Sequence, residues 1–72
     1  MDNKITKIYK LGRNIAKYRK NLKLSQNKLA DRLDISREHL AKVETAKRTL
    51  SLDLLIMIAE ELGVKVRDLI DF

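Results

Sequence analysis

Apolar residues recur along this chain at intervals of three and four, the spacing that marks one face of an α-helix. Ile8, Leu11, Ile15, Tyr18 and Leu22 form the first stripe and predict a helix from about Ile8 to Leu22, with Lys10, Arg13, Lys17 and Lys20 outside it. The next stripe is broken into two short pieces, each preceded by a serine able to cap the free N–H groups of a helix start: Ser25 before Gln26 to about Leu33, and Ser36 before a piece ending near Glu44. Asp34-Ile35 is too short for a loop, so the second piece must cross the first steeply. Asp is one of the few residues other than glycine that tolerates the left-handed backbone such a corner needs. Leu29, Leu33, Ile35, Leu40 and Val43 fall on the facing sides, and the small Ala30 lets the backbones approach. Ser51 opens a further helix to about Leu62, with Leu52, Leu55, Ile58, Ala59 and Leu62 inward and Gly63 as its stop signal. A short last helix from about Val66 to Ile70 turns Leu69 inward. The pattern predicts an all-α, five-helix fold in one domain over residues 1–72, with no repeat, linker or proline. Residues 1–7, with Ile5 and Ile8 as their only helical signal, are a flexible arm or a first turn.

Two charged residues lie within the apolar stripes. Arg19 falls inside the first stripe, and Glu44 turns inward beside Leu40 and Val43. An unpaired buried charge is costly, so the two are expected to meet in an ion pair.

Charge is distributed unevenly. Residues 1–48 hold 14 Lys/Arg against 5 Asp/Glu, and residues 49–72 hold 2 against 5, which together give the net +6 of the chain. A basic front and an acidic rear suit a protein that faces phosphate on one side. A chain of 72 residues buries only about 60% of the surface its unfolded form exposes. Without cysteine there is no disulfide framework, thiol nucleophile or thiolate metal site, and a stapled secreted fold is excluded. The opening MDNKITKIYK lacks the apolar core of a signal peptide, and the longest apolar run, Leu54 to Ala59, is far short of the roughly 20 residues of a membrane span. A soluble, cytoplasmic protein is expected. His39, the single histidine, has no partner at metal-ligand spacing. With no glycine-rich phosphate loop and no paired inward carboxylates either, no enzyme, metal, cofactor or small-molecule ligand is expected.

With Gln26, Ala30, Ile35, Leu40, Val43 and Glu44 in this order, the chain resembles the helix-turn-helix regulators of phage repressor and Cro type, also called xenobiotic-response-element regulators. The likeness runs from Leu11-Gly12 through Arg19 and on to Ser51, Leu55, Ile58-Ala59, Leu62-Gly63-Val64 and Leu69, covering about residues 11–70. It implies a repressor-like DNA-binding domain whose motif, residues 25–45, sends its second helix into the major groove. Carried onto this chain, Ser36, Arg37, Glu38 and Lys42 stand at base-contacting positions. Arg37 or Lys42 can donate to guanine O6 and N7, while Glu38 can accept from cytosine N4, hold Arg37, or serve its helix's positive end. Gln26, Lys28, His39, Thr45, Lys47 and Arg48 are phosphate candidates, with Arg13 as a further one. Arg19 and Glu44 occupy the positions of a structural ion pair. Where relatives commonly have glycine this chain has Lys23, Asp34 and Ala46, so its corners must be made by residues less suited to positive φ.

So small a module reads DNA best as a homodimer on an inverted repeat, with half-sites about 34 Å apart. Leu54, Ile56, Met57, Ile70 and Phe72 exceed the needs of the predicted core and are candidates for the dimer interface. The stretch RTLSLDLLIMIAEELGVKVRDLIDF looks most like controller proteins of restriction–modification systems; Cro-like repressors and antitoxins are the nearest alternatives. A protein-interaction adaptor of the same fold, with no DNA reading, is the competing class, against which Arg37 and Lys42 stand. Membrane-surface binding by the basic first helix competes with the core for its apolar stripe.

Overall fold

The computed structural model describes residues 3–72 and contains, among them, five helices and no strand. These are α1 (Lys4–Asn21), α2 (Gln26–Leu33), α3 (Arg37–Glu44), α4 (Leu52–Leu62) and α5 (Val66–Leu69). Each start has a physical cause. The side chains of Asn3, Ser25, Ser36 and Ser51 accept from the backbone N–H three residues on, at Thr6, Lys28, His39 and Leu54. For α5 the bond runs the other way, with the Asp68 carboxylate accepting from the Lys65 N–H at 2.9 Å.

The ends of α1 to α4 share one hydrogen-bond frame. At each, the residue past the helix is left-handed: Lys23 (φ 59), Asp34 (φ 56), Ala46 (φ 62) and Gly63 (φ 70). The next N–H then reaches back to a carbonyl: Leu24 to Arg19, Ile35 to Ala30, Lys47 to Lys42 and Val64 to Ala59. Three of the four reversals also turn an apolar side chain, Leu24, Ile35 or Val64, against the core.

That core comprises Ile15 of α1, Leu29, Ala30 and Leu33 of α2, Leu40 and Val43 of α3, Leu54, Ile58, Ala59 and Leu62 of α4, and Leu69 of α5. α1 crosses α3, α4 and α5, while α2 packs on α3 and α4. Asn14 Nδ2 ties α1 to α5 through the Leu69 carbonyl, 2.8 Å away. Where α1 meets the end of α3 there is no room for a side chain. A Cβ built on Gly12 would lie 2.6 Å from the Val43 carbonyl oxygen and 2.7 Å from that of Glu44.

Three sequence expectations need correction. α1 starts at Lys4, not near Ile8, because Asn3 caps it, so residues 4–7 form its first turn; Met1 and Asp2 of the expected arm or turn lie outside the described residues. Leu22 is the C-cap and half exposed, and Leu24 packs in its place after the reversal at Lys23. On α4, Leu54 is a core residue, 8% exposed, and so is no dimer-interface candidate, whereas Leu52 is 69% exposed. The Leu54, Ile58, Leu62 ridge, spaced by four, is buried where α4 packs with α1, α2 and α5, whereas Leu52 at the opening of the helix stays exposed.

Candidate nucleic-acid interface

The site is built around a buried charge network that fixes α3. Arg19 Nε and Nη2 donate to the two carboxylate oxygens of Glu44 at 2.7 and 3.0 Å, a bidentate pair in which each residue is only 7% exposed. Arg19 Nη1 donates to the Leu24 carbonyl at 2.8 Å, locking the reversal after α1 to the same centre. Gln26, first residue of α2, donates from Nε2 to Glu44 Oε1 at 3.0 Å and accepts from Arg37 Nη1 at 3.4 Å. One chain of bonds thus runs from α1 through the end of α3 and the start of α2 to the start of α3. Among the described residues no buried side-chain polar atom lacks a partner, which is the condition under which a buried ion pair can offset its desolvation cost.

On this support α3 presents Arg37, Glu38 and Lys42 as exposed side chains, with His39 and Ala41 half-buried beside them. Glu38 lies in the first turn, where the helix dipole favours an anion. Ser36 is exposed, and its Oγ accepts from the His39 N–H at 3.0 Å, leaving its own O–H to donate outward. Thr45 differs. Its hydroxyl donates to the Ala41 carbonyl at 2.8 Å, which helps to end α3, and the residue is exposed beside the other phosphate candidates. Lys28 sits exposed in the first turn of α2, and Lys47 and Arg48 are exposed just past the left-handed Ala46.

One surface, apart from Arg13, was not legible as a site in the chain. Between α1 and the joined ends of α2 and α3 runs an open groove of about 630 Å³, lined by Tyr9, Arg13, Lys17 and Lys20 on one side and Gln26 and Thr45 on the other. The residues on α1 recur at helical spacing, but their nearness to Gln26 and Thr45 depends on how α1 crosses α3.

The surplus apolar residues Ile56, Met57, Ile70 and Phe72 are each between 40% and 45% exposed. They belong to the half formed by α4, α5 and the residues after them. Among the described residues no cluster of His, Cys, Asp and Glu could hold a metal ion, and no helix is long and apolar enough to cross a membrane.

The comparisons with known proteins agree with this geometry. Over 49 residues the chain is 41% identical to control protein C.BamHI of Bacillus amyloliquefaciens, a match spanning 68% of this chain and 60% of that protein. The crystal structure of the restriction–modification controller protein C.AhdI from Aeromonas hydrophila superposes with a TM-score of 0.82 at 29% identity, covering 86% of this chain and 94% of that one. SinR, a master regulator of biofilm formation whose structure was determined in complex with DNA, superposes with a TM-score of 0.76 at 28% identity, covering 82% and 95%. The helix-turn-helix family pattern matches residues 15–69. The chain therefore belongs to the helix-turn-helix family.

Proposed function

We propose that this protein is a transcriptional regulator that binds double-stranded DNA sequence-specifically, with α3 in the major groove. The carrying observation is the fixed and exposed row of Arg37, Glu38 and Lys42 on a helix held by the Arg19–Glu44–Gln26 network. Arg37 and Lys42 read guanine, Glu38 accepts from cytosine, and the Ser36 hydroxyl donates to a base edge or phosphate. Gln26, Lys28, His39, Lys47 and Arg48 hold the phosphates on either side. Two copies joined through Ile56, Met57, Ile70 and Phe72 read an inverted repeat. The likeness to two controller proteins supports control of its own operon, in the manner of a controller protein, a Cro-like repressor or an antitoxin.

The test is DNA selection from a random library at moderate salt, repeated with Arg37→Ala and Lys42→Ala. Enrichment of an inverted repeat containing G·C pairs, with each substitution relaxing one half-site position by about 1–3 kcal/mol, is the expected result. Weak, unenriched binding with a steep salt dependence overturns sequence reading and brings the adaptor function forward.

A further inference from the structure

We infer that the groove between α1 and the α2–α3 ends is a second DNA-backbone contact, in which Arg13, Lys17 and Lys20 take phosphates flanking those bound at the start of α2. This rests on the reading of the protein as DNA-binding and enlarges its footprint beyond the helix-turn-helix motif.

Four observations carry it. Tyr9, Arg13, Lys17 and Lys20 line the same groove, and at 100° per residue they lie within one arc of α1, with Ala16 between them giving the groove a low floor. Arg13 is held in place rather than free to wander: Nη1 donates to the Tyr9 hydroxyl at 3.2 Å, and its guanidinium lies 5.7 Å from the ring centre. The one carboxylate in the lining, Glu44, has both oxygens taken by Arg19 and Gln26, so it cannot neutralise the three exposed cations. The opposite wall contains Gln26, first residue of α2 and bonded to Arg37, so the groove is continuous with the proposed reading face.

The dimensions suit a nucleic-acid strand. With about 1.5 Å of rise per residue, Arg13 and Lys20 are roughly 10 Å apart along α1, and one strand of B-DNA places a phosphate about every 3.4 Å of axis. The row therefore spans about three phosphate steps of one strand. The open groove has neither the enclosure nor the apolar lining that a small-molecule site needs.

The experiment measures affinity against salt for the selected duplex, once with long flanks and once trimmed to the inverted repeat. Arg13→Ala, Lys17→Ala and Lys20→Ala are compared with the wild type, and Arg67→Ala on α5 serves as a loss of equal charge outside the groove. On the long duplex, each substitution in the row is expected to lower the slope of log K against log salt by about 0.9 for every phosphate it no longer neutralises, with base preferences unchanged. On the trimmed duplex the difference should shrink, and Arg13→Lys should restore the slope. Slopes equal to wild type on the long duplex, or an equal reduction with Arg67→Ala, overturn the groove proposal while the reading of DNA by α3 stands. Absence of any enriched sequence for the wild type overturns both. Circular dichroism melting of each variant separates weakened phosphate binding from unfolding.

Discussion

Arg19 and Glu44 show how one pair of residues can set the position of a helix. Each would be costly alone in the core, and together they are satisfied on every side by Leu24, Gln26 and each other. Glu44→Ala leaves the guanidinium buried with one carbonyl for a partner, and a loss of about 3–5 kcal/mol is expected, most of the stability of a domain this small. Urea unfolding of the variant checks it. The opposite sign is expected at Ala46. A Cβ in the left-handed region costs about 1–2 kcal/mol, and glycine removes that cost while giving back part of it as unfolded-state entropy. Ala46→Gly should therefore stabilise by about 0.5–1 kcal/mol and raise Tm by a few degrees. Asp34→Gly should gain less, because aspartate already tolerates this conformation. An unchanged or lower Tm for Ala46→Gly would falsify the account of that corner.

Elements are where sequence and structure can be compared most directly. The stripes and serine caps placed all five helices to within a few residues, and the departures from glycine at Lys23, Asp34 and Ala46 marked the three corners that do adopt positive φ. The inward charges Arg19 and Glu44 were legible for the same reason, since each broke the period of an otherwise apolar face. What periodicity could not give was depth. Leu52 and Leu54 both sit in the first turn of α4, yet only Leu54 is covered, and that depends on how α4 packs with the other helices. Nor could it show that Thr45 turns its hydroxyl back into α3, or that α1 lies beside Gln26. Gly12 belongs to this scale. It is the point at which α1 touches the carbonyl end of α3, and a methyl group there meets backbone oxygens that cannot move aside without shifting a helix. Gly12→Ala, ordinarily favourable in a helix, is expected to destabilise by at least about 1–3 kcal/mol and to weaken DNA binding through a displaced α3. Melting and DNA titration together check this; a more stable protein with unaltered affinity would show the crossing to be loose.

For the whole molecule the main question is pairing. Ile56, Met57, Ile70 and Phe72 remain 40–45% exposed in one half of the domain. Met57→Glu is expected to hold the protein as a monomer in sedimentation at micromolar concentration and to lower affinity for an inverted repeat far more than for a single half-site. Dimer formation equal to wild type would move the interface elsewhere. The placement of charge adds a consequence of its own. Residues 49–72, which carry these apolar side chains, hold three more acidic than basic groups, whereas the remainder is strongly basic. Added salt screens the mutual repulsion of two acidic halves over about 8 Å at physiological strength, and at the same time weakens every phosphate contact. If two copies pair through these side chains as proposed, pairing and DNA capture respond to ionic strength in opposite directions. Operator occupancy at a fixed, low protein concentration is then expected to pass through a maximum as salt rises, a salinity preference set by the opposite charges of residues 1–48 and 49–72.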